Sequence, residues 1–194
     1  MKKDIILAGV GGQGILSIAA IIGYAAVQAG LYLKQAEVHG MSQRGGDVQS
    51  NLRLSDKPVA SDLIPHGKAD MILSVEPMES LRYLPFLSPE GWLVTNTKPF
   101  INIPNYPAPE AIMAEIKKLP HQVALDAETM AGELGTTKAA NMVMLGAASP
   151  FLGLEYSGLE DAIRFFFGRK GQDLVDLNLN ALKAGRDFAH KNMN

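Results

Sequence analysis

The chain has 194 residues, 47% of them apolar, enough to enclose one sizeable core, so a single domain over residues 1–194 is the expectation. Its formal net charge is -2 and its 18 basic residues are scattered, which excludes the electrostatic footprint of a nucleic-acid or anionic-membrane binder. It contains no cysteine, which excludes disulfides, thiolate metal centres, a cysteine nucleophile and iron–sulfur ligation by this chain.

Met1-Lys2-Lys3 precedes an acidic residue and the apolar run Ile5 to Val10, too short for a signal peptide or a membrane span, so a cytoplasmic protein is expected. Within that run, Ile5 to Ala8 reads as a strand buried on both faces. From Gly14 to Ala29 apolar residues fall at Ile15, Ile18, Ala19, Ile22 and Ala26 with almost no charge, predicting a largely buried helix that Gly30 stops. Leu31 to Val38 follows as a second strand. Asp47 to Leu54 alternates Val48, Ser50, Leu52 and Leu54 against Asp47, Gln49, Asn51 and Arg53, the pattern of a half-exposed strand. The gap between these two strands is too short for a helical crossover, so they are expected to be antiparallel neighbours in a mixed sheet.

Further strands are expected at Asp70 to Val75, Gly91 to Thr95 and Gln122 to Leu125, and helices at Pro77 to Tyr83 and Pro109 to Leu119. Thr97 to Pro109 carries four prolines and reads as a surface loop. After Leu125 the pattern is helical, over Ala127 to Leu134, Lys138 to Phe151, Gly158 to Phe167 and Gln172 to His190. The fold class that follows is α/β, a three-layer α/β/α arrangement with a mixed, mostly parallel sheet and a Rossmann-like first βα unit.

Two glycine-rich segments lie close together in this pattern. Gly9-Val10-Gly11-Gly12-Gln13-Gly14 matches the dinucleotide fingerprint in spacing and context, and Glu37 stands near the offset of the ribose-binding acid. That acid leads straight into Glu37-Val38-His39-Gly40-Met41-Ser42-Gln43-Arg44-Gly45-Gly46 instead of into a crossover helix, so tight packing of a subunit-interface turn competes with nucleotide binding as its purpose. In the second segment His39 could shuttle protons and Arg44 could clamp a carboxylate or phosphate. Nothing in the sequence completes a catalytic set. His66, His121 and His190 are isolated and read as surface or capped residues, and the Ser42 surroundings lack a nucleophile elbow. Met142 and Met144 read as core. Phe165, Phe166 and Phe167 cannot share one helix face, so at least one ring should point away from the core toward a partner. Glu160, Asp161, Arg169 and Lys170 read as solvated.

The ordered set formed by residues 9–14, 37–46, Asn141-Met142-Val143-Met144-Leu145-Gly146-Ala147 and Asp176-Leu177-Asn178-Leu179-Asn180-Ala181-Leu182-Lys183-Ala184-Gly185 resembles the gamma-type domain of the 2-oxoacid:ferredoxin oxidoreductases, in particular its indolepyruvate branch. The resemblance spans nearly the whole chain, and Ser42 to Gly46 is its most specific run. It implies a small subunit, inactive alone, of an enzyme that oxidatively decarboxylates a 2-oxoacid, an aryl pyruvate such as indolepyruvate, to an acyl-coenzyme A and passes electrons to ferredoxin. Thiamine diphosphate and iron–sulfur clusters would reside on a large alpha subunit, and coenzyme A would enter as co-substrate. This chain would hold no cofactor and no metal, and its absence of cysteine fits that division. Gly11, Gly12, Gln13, Gly14, Ser42, Gln43, Arg44 and Gly45 are the surface the resemblance points to, as binding or subunit-interface residues with no catalytic residue among them. Two further readings stand beside it: a stand-alone nicotinamide- or flavin-nucleotide-binding protein, and a non-catalytic scaffold of the same fold.

Overall fold

A computed structural model describes residues 1–39 and 45–193, His39 through its backbone alone. Strand β1 (Lys2–Val10) contains the run Ile5 to Ala8, and all four side chains are fully buried, as expected of a strand covered on both faces. Gly14 opens α1 (Ile15–Gln28), which leads to β2 (Tyr32–His39) and β3 (Asp47–Ser55). There follow β4 (Ala69–Ser74), α2 (Pro77–Arg82), β5 (Leu87–Asn96), α3 (Pro109–Ile116), β6 (Gln122–Leu125) and α4 (Ala127–Glu133). The chain closes with α5 (Ala140–Ala148), α6 (Tyr156–Phe167) and α7 (Gln172–Asn192). The helix expected over residues 138–151 is α5 flanked by two short 3-10 turns, the second carrying Pro150, which lacks the amide donor an α-helix needs there.

Among the described residues the sheet has six strands in the order β2-β3-β1-β4-β5-β6. Pairings β1 to β4, β4 to β5 and β5 to β6 are parallel, while β3 is antiparallel to both β1 and β2. The expected antiparallel pairing of the second and third strands is therefore present, and the fold is the mixed, mostly parallel three-layer α/β/α class. One consequence follows from the order: β1, α1 and β2 form a βαβ unit into which β3 has been inserted.

The two faces of the sheet are covered unequally. Ile5, Leu7, Met71, Leu73, Val94 and Val123 pack against residues of α1, α4, α5, α6 and α7, whereas Ile6, Ala8, Ile72 and Leu93 pack against α2 and α3. In the thicker layer Met142 and Met144 are core residues, as expected. There α5 and α7 cross with their backbones in contact. A methyl group built on Gly146 would lie 1.9 Å from the carbonyl oxygen of Leu182, and one on Gly185 would lie 1.9 Å from that of Val143. Two segments of the resemblance, 141–147 and 176–185, are thus the two halves of one helix crossing. Phe167 packs on the core while Phe165 and Phe166 are exposed and contact the Tyr24 ring, which bears out the argument from helix geometry.

The expectation of a half-exposed β3 is corrected. Asn51 and Arg53, on its polar face, are buried because the segment of residues 61–64 lies across them. The Arg53 guanidinium donates to the carbonyls of Ser61 and Leu63 and, through two nitrogens, to both carboxylate oxygens of buried Asp4, while Asn51 accepts from the Ile64 amide. Polar alternation marks a face that needs partners, and a loop supplies them as well as water does.

Gly146→Ala and Gly185→Ala each force the α5–α7 crossing apart, and each is expected to lower stability by about 3 kcal/mol, the upper end of ordinary overpacking. Denaturant unfolding of the two variants checks this.

Candidate functional site

The first glycine segment forms the turn from β1 into α1. Gly12 and Gly14 have φ of +103° and +85°, conformations that disfavour a side chain. Close approach fixes two further features: a methyl group on Gly9 would meet Val75 Cγ2 at 2.4 Å, and one on Gly14 would meet the Asn141 amide nitrogen at 2.5 Å. Gln13 clamps the turn from within. Its side-chain oxygen accepts from the Val10 amide at 2.8 Å, and its side-chain nitrogen donates to the Val75 carbonyl at the end of β4. The Val10, Gly11 and Gln13 amides all donate within the protein, so these three are not presented to a bound anion.

The sheet brings the start of β3 to the same place. Register pairs Val10 with Asp47, the Gly11 amide donates to the Gly46 carbonyl at 2.9 Å, and the Gly45 amide faces the Gly11 carbonyl at 3.5 Å. Gly11, Gly12, Gln13, Gly14 and Gly45 are therefore neighbours in space. Ser42, Gln43 and Arg44 lie outside the described residues, as does the His39 side chain. Glu37, at the end of β2, has β3 between itself and β1, which puts it about 10 Å from that strand. It stands one strand further out than the ribose-binding acid of a dinucleotide domain.

Beside the first turn, at the carboxyl ends of the parallel strands where doubly wound folds place their ligands, is a cavity of about 160 Å³. Its polar lining comes from Gln13, Asn96, Glu128, Thr137, Lys138 and Asn141. That volume suits a few waters or a small polar group and falls short of the roughly 300 Å³ at which ligand pockets begin. Asn96 is buried and ties three elements together, donating to the Val75 carbonyl and the Glu128 carboxylate and accepting from the Ala127 amide. Sequence reading missed Asn96, Glu128 and Lys138 because each is an isolated polar residue that only the sheet order brings to this end. Asn141 was visible within the 141–147 motif, and its contact with Gly14 shows what the motif holds.

The histidines do not assemble. His66 is exposed and lies against Phe86, and His190 is exposed and accepts from Arg186. His121 departs from the surface expectation: it is half-buried with its ring stacked on Trp92. Among the described residues no group of three or more His, Cys, Asp or Glu could hold a metal ion. No helix among them is long and apolar enough to cross a membrane.

Beside the start of β3 lies a group of ionisable residues carried by α2 and by Tyr83 at its end. Burial pushes the Glu79 carboxyl above its ordinary range, against the opposing pull of its ion pair with Arg82 at 2.7 Å. The pair acts unequally on its members, because Glu79 is buried while half-exposed Arg82 keeps its hydration and is held further in the protonated form, chiefly by its hydrogen bond to Glu79. Burial, with the Asp47 carboxylate close by, also pushes the Tyr83 phenol up, so Tyr83 stays a donor to Asp47 at 3.3 Å.

Residues 4–188 match the model of the pyruvate ferredoxin/flavodoxin oxidoreductase family. An indolepyruvate oxidoreductase subunit IorB from Archaeoglobus fulgidus is 39% identical over 97% of this chain and 96% of its own length. The pyruvate oxidoreductase subunit PORC of Thermotoga maritima shares the fold with a TM-score of 0.73 at 24% identity, covering 96% of each chain. A 2-oxoglutarate:ferredoxin oxidoreductase from Magnetococcus marinus contains the same fold with a TM-score of 0.77 at 22% identity, covering 98% of this chain and 31% of that longer one.

The raised Glu79 carboxyl carries a pH signature. Its proton is held in the folded state above the ordinary value of 4.5, so its contribution to stability is complete below that value and is lost as pH rises through the folded pKa. Relative to the parent protein, Glu79→Gln is expected to gain in melting temperature between about pH 4 and about pH 7. Thermal unfolding across that range tests it, and a constant difference would refute it.

Proposed function

Because the chain belongs to the pyruvate ferredoxin/flavodoxin oxidoreductase family, we propose that it contributes its paired glycine segments to an assembly whose redox chemistry is carried by other subunits. It is a small subunit of a 2-oxoacid:ferredoxin oxidoreductase, an enzyme acting on 2-oxoacids as a hetero-oligomer. The observation that carries the proposal is the backbone bonding of Gly11 with Gly45 and Gly46, which joins the described ends of the two segments.

The donor set argues for where the chemistry resides. Without a thiolate this chain does not supply the usual ligands of an iron–sulfur cluster, so the clusters, and with them thiamine diphosphate, are assigned to a large alpha subunit. Ferredoxin accepts the electrons from that subunit, and coenzyme A enters as co-substrate. Indolepyruvate or a related aryl pyruvate is the 2-oxoacid, a choice supported by identities of 37–39% to relatives named for indolepyruvate against 32% to one named for ketoisovalerate. With the Val10, Gly11 and Gln13 amides used internally, the first turn acts here as a rigid docking element. Ser42, Gln43 and Arg44 complete the surface as binding or interface residues. A cytoplasmic location follows from this partnership.

Anaerobic affinity purification of the chain from its native cell is expected to recover a coloured, thiamine-containing large subunit. The complex is expected to reduce an artificial dye with indolepyruvate and coenzyme A, and the isolated chain is not. Arg44→Ala should lower the activity of the complex by about tenfold, as loss of a bidentate donor does. Recovery of the chain alone, colourless and inactive, would overturn the reading.

A further inference from the structure

Glu76 lies where β4 passes into α2, and its side chain is wholly buried. One carboxylate oxygen caps α2 by accepting from the Glu79 amide at 2.8 Å. The other accepts from the Phe100 amide at 3.1 Å and from the Tyr106 hydroxyl at 2.5 Å. Its own backbone is fixed by Ser74, whose hydroxyl donates to the Glu76 carbonyl at 2.6 Å. No described cation pairs with it, since nearby Arg82 is engaged by Glu79. A carboxylate without a counter-charge is kept in such a place only when its hydrogen bonds are complete, and two of the three side-chain bonds come from one loop.

That loop, residues 97–108, has no helix or strand of its own and depends on such anchors. Between the anchors at Phe100 and Tyr106 stands Asn102, whose side-chain nitrogen donates to the Gly45 carbonyl at 2.6 Å. The Gly45 amide in turn faces the Gly11 carbonyl. We propose that Glu76 is a positioning residue whose buried carboxylate locks the 97–108 loop as a strap, so that Asn102 holds Gly45, at the end of the second glycine segment, in register against the first. The functional weight of this device rests on the reading that the two segments form the working surface of the subunit.

Asn102→Ala cuts the strap away from the buried charge, Tyr106→Phe removes one of the three donors to the Glu76 carboxylate, and Glu76→Gln tests the anchor itself. Hydrogen exchange on the full chain is expected to show the Gly45 to Asp47 amides exchanging about tenfold faster in Asn102→Ala and Tyr106→Phe, with the β4 and α5 amides unchanged. In the assembled enzyme the same variants are expected to lose about tenfold in kcat/KM. Unchanged exchange at residues 45–47 in both variants would overturn the strap, whatever the activity does. Faster exchange there with full activity would leave the strap standing and overturn the assignment of the glycine segments as the working surface. Acceleration spread equally over the whole chain would reduce Glu76 and its loop to general stability and so overturn the proposal.

Discussion

The insertion of one antiparallel strand between β1 and β2 governs the rest of the molecule. Pairing runs unbroken from Lys2 with Ser55 to Val10 with Asp47, so the chain entering β3 is delivered beside the chain leaving β1. Because both ends fall at one edge of the same ladder, the two glycine segments meet through backbone bonds, to which the Asn102 side chain adds one more. The same insertion moves β2 outward and takes Glu37 away from the β1–α1 turn. A pattern that resembles a dinucleotide site thereby serves a different geometry.

The two faces of the sheet are held by different physics. On the thicker side, helix backbones touch through Gly146 and Gly185 and the contacts are almost wholly apolar, so that layer is rigid through shape. On the thinner side, buried polar brackets do the corresponding work: Asp4 with Arg53 fastens the segment of residues 61–64, and Glu76 fastens the 97–108 loop. Loops cannot bury enough apolar surface to order themselves, and a desolvated carboxylate with several donors supplies the direction that hydrophobic contact lacks. Order at the glycine segments therefore depends on the polar side of the molecule.

Without cysteine, the subunit is proposed to serve its redox enzyme through a surface and not through a cluster of its own. The surface proposed to face the assembly combines a turn whose glycines are set by Val75 and Asn141, a neighbouring strand end, and the loop that Glu76 anchors. Each of these is a backbone feature, positioned by side chains that point inward. Such a surface is pre-organised before a partner arrives, which reduces what binding must order.

Much of this was legible in the residues. The doubly buried run Ile5 to Ala8, the antiparallel pair after α1, the helical second half and the placement of Met142 and Met144 follow from periodicity, because period and burial are local properties of a chain. The glycine turn was legible as a turn, and the ordered motifs pointed to the family that the chain belongs to. Tertiary structure alone decided the position of β3 in the sheet, the burial of Asn51 and Arg53 beneath a loop, and the meeting of Gly146 with Leu182 and of Gly185 with Val143 across two helices. It also decided that Glu76, an unremarked acid before a proline, holds a loop some 25 residues further on. Pairing, coverage and counter-bonding are relations between distant segments, and a linear sequence specifies them only through the energy of the folded whole.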